Sequence, residues 1–172
     1  MKYAIYLIIL VMMSSCATVN VKYDYDKQTD FNSYKTYNYY ADMDSGLSGL
    51  DNNRLLNILD DALSEKGLSL AESPDFYINI QSVEFEDHQR NTVGVGIGGG
   101  RRNVGGGISV GLPLGSSKSN RELIVDFIDD DRGLFWQAVA EASYNTNATP
   151  EKREANLKAI VDKILAGYPP NL

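Results

Sequence analysis

The 172-residue sequence predicts an α+β domain, a curved, mostly antiparallel sheet with two helices packed on one face. Three observations predict it. Two segments carry apolar residues at helical spacing between cap signals, and several others alternate with the period of a strand. The order along the chain is strands, helix, strands, helix, which places the helices together on one side of a sheet.

Val19, Val21, Tyr23 and Tyr25 alternate with polar residues and read as a first strand. Tyr34 to Tyr40 is an aromatic stretch with strand propensity, and Ala41 to Gly49 reads as a loop. Asp51 is the expected N-cap of a helix whose stripe is Leu55, Leu56, Ile58, Leu59, Ala62 and Leu63. Gly67 stands where a terminating glycine belongs. After Ser73-Pro74 comes a strand whose apolar phase runs Phe76, Ile78, Ile80 and then switches to Val83 and Phe85. That switch predicts a bulge or bend near Ser82.

Residues 93–112 alternate aliphatics with glycine and read as a Gly-rich β-hairpin around Gly100-Arg101-Arg102-Asn103. Leu123 to Ile128 is nearly continuous in apolar residues, which predicts a central strand. A turn at Asp130 to Gly133 leads to its partner, Leu134 to Ala142. Thr149-Pro150 is an N-cap with proline at the first helical position. Leu157, Ile160, Val161, Ile164 and Leu165 form the last apolar stripe, closed by Gly167 and Pro169-Pro170.

The front of the chain reads differently. Lys2 precedes an apolar run from Ala4 to Met13, too short for the roughly 20 residues of a spanning helix. Met13-Ser14-Ser15-Cys16 resembles the lipobox of bacterial lipoproteins, with Met where Leu is more usual. Residues 1–15 are therefore expected to be a removed signal peptide, and residues 16–172 one domain on a short tether. Cys16 is the only cysteine, so no intrachain disulfide forms. The resemblance makes it a lipid anchor, consuming the thiol. Two or more acyl chains hold stably, at about 0.8 kcal/mol per buried methylene. Ala17, rather than Asp, follows the cysteine, which favours the outer membrane, facing the periplasm.

Sixteen basic and 23 acidic side chains give a net charge of −7. Losing Lys2 with residues 1–15 leaves 15 against 23, a balance of −8. That charge disfavours nucleic acid, whose binding depends on neutralising phosphates. It also predicts a domain that stands off an anionic membrane.

Several stretches in order carry a further resemblance. They are Val21-Lys-Tyr-Asp-Tyr-Asp with Asp30-Phe-Asn-Ser-Tyr-Lys-Thr-Tyr, then Lys66-Gly67 and Pro74-Asp75-Phe-Tyr-Ile, and the glycine-alternating segment. Leu123-Ile-Val-Asp-Phe-Ile-Asp, Leu134-Phe-Trp-Gln-Ala and Ile164-Leu-Ala-Gly-Tyr-Pro-Pro follow. Together they resemble a family of bacterial envelope lipoproteins known as domain of unknown function 4136. The sequence departs from that pattern at Gln137-Ala138, where the family favours Arg-Gly, and at Arg121-Glu122, where Gly-Thr is frequent. The resemblance implies an envelope lipoprotein with an α+β domain, and no known reaction.

Candidate chemistry is sparse. Gly94, Gly96 and Gly99 match dinucleotide-binding spacing, but a helix does not follow. A hairpin whose bare face admits a partner explains them better. Arg101 and Arg102 at its tip could grip phosphate or carboxylate. Glu84, Glu86 and His88 share one strand face, a thin metal-site pattern with the chain's sole histidine. Asp129 to Asp131 lacks the spacing of a calcium loop. Asp126 interrupts an apolar strand and needs a partner if buried. Six tyrosines between Tyr23 and Tyr40 could stack on sugars or cover a core edge.

The leading expectation is a non-enzymatic, membrane-anchored module that binds or scaffolds another envelope component, a protein or glycan. It needs no cofactor or metal. Cys16 is its anchor, and Arg101, Arg102, Gly96 and Gly106 are its expected contacts. The rivals are a carboxylate-based hydrolase of an envelope polymer and a small-ligand carrier.

Overall fold

The computed structural model describes residues 19–86 and 119–171. Within them six strands form one sheet: Val19–Tyr25 (β1), Thr36–Tyr39 (β2), Ser69–Leu70 (β3), Phe76–Glu86 (β4), Ser119–Asp129 (β5) and Gly133–Tyr144 (β6). Their spatial order is β1-β6-β5-β4-β2-β3. The first three pairings in that order are antiparallel, and β2 runs parallel to both β4 and β3. Parallel neighbours need a crossover, and the helix Gly49–Glu65 (α1) supplies it between β2 and β4. The second helix, Pro150–Leu165 (α2), packs on α1, β6 and β1. The fold is the expected α+β arrangement, its sheet mostly antiparallel, with two parallel pairings at the β2 side. The Gly-rich hairpin, residues 93–112, lies outside the described residues.

Each helix is built by its caps. Ser48, not Asp51, caps α1, its Oγ accepting the Asp51 N–H at 3.3 Å. Asp51 is thereby freed to face another element. At the other end Leu68 N–H bonds to Leu63 O and Gly67 N–H to Ser64 O, with Gly67 at φ +82°. That is a Schellman closure, and its φ suits glycine. Thr149 caps α2 through the Lys152 N–H, with Pro150 at the first helical position as expected.

Leu55, Leu59 and Leu63 on α1 and Leu157, Ile160, Val161 and Ile164 on α2 are buried against the sheet. The strands answer with Phe76, Ile78 and Ile80, with Leu123, Val125 and Phe127, and with Ala138, Ala140 and Ala142. Small residues on β6 leave room for α2.

The phase switch in β4 has a different cause from the bulge expected near Ser82. The β4–β5 register runs unbroken from Tyr77–Ile128 to Glu86–Ser119. Val83 and Phe85 simply point to the face away from the helices, where they are 52% and 37% exposed. The irregularity lies instead between β5 and β6, where Phe127 faces Trp136 and Ile128 faces Leu134. Phe135 is the extra residue. The bulge turns both Phe135 and Trp136 into the core, at 2% and 0% exposure.

Candidate functional site

At the end of the sheet where β1 starts, one row crosses four strands. Val19 lies opposite Ala142, Ala142 opposite Arg121, and Arg121 opposite Glu84. Arg121 occupies the inward phase of β5, shared with Leu123, Val125 and Phe127, so a guanidinium enters the core layer at its margin. It is only 7% exposed. Its Nη2 donates to Glu84 Oε1 at 2.5 Å, and its guanidinium carbon sits 3.6 Å from the centroid of the Tyr144 ring. Its Nε is buried with no acceptor among the described residues. A guanidinium carries five N–H donors, and leaving one buried and unmet costs about 1–3 kcal/mol.

Beside it stands a second arginine. Arg153, in the first turns of α2, donates from Nη1 to Asp51 Oδ2 at 2.7 Å, from Nε to Ala148 O at 3.2 Å, and from Nη2 to Thr146 O at 2.5 Å. Arg153 thereby braces the connection from β6 to α2. Asp51, 2% exposed, also accepts Arg54 Nη1 at 2.8 Å. Burial alone pushes its carboxyl up, but hydrogen bonds from Arg153 and Arg54 outweigh that and hold it below the usual carboxylate range. The ion pairs tie the start of α1 to the start of α2.

Between these groups lies a small cleft with room of about 30 Å³, lined by Asp51, Arg121, Tyr144, Arg153, Asn156 and Leu157 among others. Both arginines there are already paired, Arg121 with Glu84 and Arg153 with Asp51, and the Asp51 carboxylate is part of the lining. The Tyr144 ring has the Arg121 guanidinium carbon 3.6 Å and the Arg153 guanidinium carbon 6.0 Å from its centroid. Arginine forks match carboxylate and phosphate geometry.

Cys16, Gly96, Arg101, Arg102, Gly106 and His88 lie outside the described residues. Glu84 accepts from Arg121, and among the described residues no group of three or more His, Cys, Asp or Glu clusters together; His88 lies outside them. The Asp129 carboxylate serves its own turn, accepting the N–H groups of Asp131 and Arg132 and the Tyr34 hydroxyl. Asp126 is half-buried on the open face and accepts Gln137 Nε2 at 2.7 Å. The tyrosines cover a core edge: Tyr37 and Tyr39 both donate to Asp60 Oδ1 at 2.7 Å.

Arg121, Tyr144, Arg153 and Asp51 were not among the expected site residues. Two signals pointed to them. Arg121 breaks the inward phase of an apolar strand, and Arg153 places positive charge near a helix N-terminus, against the macrodipole.

The sequence profile of a family described as a domain of unknown function (DUF4136) matches residues 21–170. The chain belongs to that family. Among solved structures, a PDZ domain protein from Parabacteroides distasonis ATCC 8503 is similar at 16% identity with a TM-score of 0.56. The match covers 99% of this chain, which spans 40% of the length of that one. The likeness is one of fold. The PelC dodecamer from Paraburkholderia phytofirmans, in two crystal forms, matches at 8% and 11% identity with TM-scores of 0.47 and 0.46. Those matches cover 87% of this chain and 95% and 96% of the PelC chains. No curated protein matches. No helix among the described residues is long and apolar enough to cross a membrane.

Proposed function

We propose that this member of the DUF4136 family is a lipid-anchored envelope module that binds without catalysing. It is held through Cys16 on the outer membrane, faces the periplasm, and receives an oxyanion group of an envelope component in the Arg121 cleft. The observation that carries the reading is Arg121 itself, buried, stacked on Tyr144, and left with an Nε donor lacking an acceptor among the described residues. A buried donor of this kind stabilises a complex when a ligand oxygen meets it, because the desolvation cost has already been met in the free protein. The lipobox-like Met13-Ser14-Ser15-Cys16 supports the anchor.

Nitrogen-15 NMR of arginine side chains tests the cleft. Titrating glycerol phosphate into the protein is expected to move the Arg121 Nε–H resonance saturably, and Arg121→Gln to abolish the effect. An unmoved Arg121 resonance at tens of millimolar ligand would sink the reading. Intact mass of the membrane-extracted protein tests the anchor: a chain starting at Cys16 with acyl mass is expected, and a Cys16→Ala variant that matures and anchors normally would refute it.

A further inference from the structure

The bulge between β5 and β6 shapes the open face of the sheet as well as the core. Side chains of a regular strand alternate between the two faces. With Phe135 and Trp136 both turned inward, at 2% and 0% exposure, β6 sends no side chain outward between Leu134 and Gln137. A groove opens over that gap, with room of about 210 Å³, walled by Asp24, Tyr25, Asp26, Leu134 and Gln137. At roughly 30 Å³ per water, that room suits a side-chain-sized group rather than a lone solvent molecule. Gln137 lies opposite Asp126, toward the far end of β5 from Arg121 and in the opposite phase, so the groove and the Arg121 cleft are separate places. Residues 87–118 join the sheet at the other end, through Glu86 and Ser119.

The walls of this groove are rich in acceptors. Asp24 Oδ1 accepts the Tyr25 N–H and Asp26 Oδ1 the Gln28 N–H, each at 2.9 Å. Those bonds orient the two carboxylates and leave Oδ2 of each without a donor among the described residues. Gln137 commits its Nε2 to Asp126 Oδ1 at 2.7 Å, which leaves its carbonyl oxygen to accept. Neither Asp24 nor Asp26 is in an ion pair among the described residues. Lys22 and Lys27, their neighbours in sequence, do not line the groove. Leu134 adds an apolar side chain at the margin, 52% exposed. One side of the groove is β1, an edge strand, so a side chain can enter there while the backbone that carries it stays outside.

We propose that this groove receives an organic cation on an aliphatic stem, the arginine or lysine side chain of a partner polypeptide. The N–H donors of the head group meet Asp24, Asp26 and the Gln137 carbonyl, and the stem lies on Leu134. Charge-assisted bonds of this kind are the strong ones among hydrogen bonds. The net charge of −7 draws a cation in. A bare calcium ion suits the place less, since it takes about six to eight oxygens and no three acidic groups cluster among the described residues. The assignment depends neither on the Cys16 anchor nor on the Arg121 cleft.

The test follows the amide signals of the full chain by NMR during titration with a short, end-capped peptide that holds one arginine between glycines. Saturable shifts are expected at Asp24, Asp26, Leu134 and Gln137. The same peptide with citrulline, which keeps the shape and drops the charge, should bind about tenfold weaker. Asp24→Asn with Asp26→Asn should weaken the arginine peptide comparably, because each amide oxygen keeps its backbone bond while the charge is gone. If that variant fails to fold, Leu134→Ser, at an exposed position, should weaken the arginine peptide severalfold. Equal binding of the two peptides overturns the site, and so do shifts as large at Asp129 to Asp131, which would mark general charge screening. Calcium binding at the same residues more tightly than the arginine peptide overturns the organic cation. Saturable shifts from propylguanidinium with none from the peptide overturn the polypeptide source.

Discussion

The two ends of the sheet are made of different materials. At the far end Phe31, Tyr34, Phe76, Phe127, Phe135, Trp136 and Tyr168 pack ring against ring. Tyr34 stacks on Phe135 at 4.3 Å between centroids and Phe127 lies 4.6 Å from Trp136. Trp136 Nε1 finds the Gly167 carbonyl at 3.3 Å, so its polar atom is met. At the near end β6 carries alanines, and the inward row beside them holds the Arg121–Glu84 pair. Rings bury large areas without unmet polarity, whereas buried guanidinium groups stabilise little unless fully paired. The comparison teaches that the aromatic end is held by ring packing and the arginine end by ion pairs.

The largest blow to that division should come from the aromatic end. Phe127→Ala is expected to cost about 3–5 kcal/mol in urea unfolding, while the folded fraction keeps the glycerol phosphate response at Arg121. A loss of binding without a loss of stability would reverse the roles assigned to the two ends.

A middling effect is expected from Arg153→Leu. It leaves Asp51 buried with Arg54 as its remaining cation among the described residues and frees the connection from β6 to α2, so the urea midpoint should fall, though less than in Phe127→Ala. Acid should probe the same pair. The Asp51 carboxyl is held below its unfolded value of about 3.9. The unfolded chain therefore binds more protons in that window, and stability is complete above it. It is lost as pH falls through 3.9 and then through the lower folded value. Asp75 and Asp129, held down by backbone and tyrosine donors, share the direction. Asp51→Asn should flatten part of the acid slope in thermal melts, and an unchanged slope would remove Asp51 from the account.

The smallest effect should come from Tyr34→Phe. Burial, then the hydrogen bond to Asp129, pushes the Tyr34 phenol up to about 12. Deleting its hydroxyl is expected to cost about 1 kcal/mol, since Asp129 keeps its backbone donors. Ultraviolet titration should show one late-ionising tyrosine fewer.

Much of the fold was legible in the sequence because its signals are local. The stripes of α1 and α2, Gly67 as a terminator and Pro150 as an initiator depend on neighbours within a few residues. The cap of α1 shifted from Asp51 to Ser48, two capable residues three apart, and Asp51 is instead engaged by Arg54 and by Arg153 from 102 positions away. The bulge moved from Ser82 to Phe135 for a similar reason. Val83 and Phe85 look like core residues until the sheet is seen to have one open face. The cleft was least legible. Arg121 showed only as a charge in an apolar phase and a departure from the family pattern, and its meeting with Tyr144 and Glu84 is a product of register.

The β1–β6 pairing also sets an order of assembly. The amino-terminal strand has its single neighbour more than a hundred residues downstream, since Tyr23 pairs with Ala138 and its hydroxyl donates to the Lys163 carbonyl. A chain delivered from its amino terminus therefore offers β1 long before β6 exists to receive it. Contacts of such separation form slowly because a large loop must close first. The strand born first is thus seated last, an exposed ribbon through most of the molecule's making.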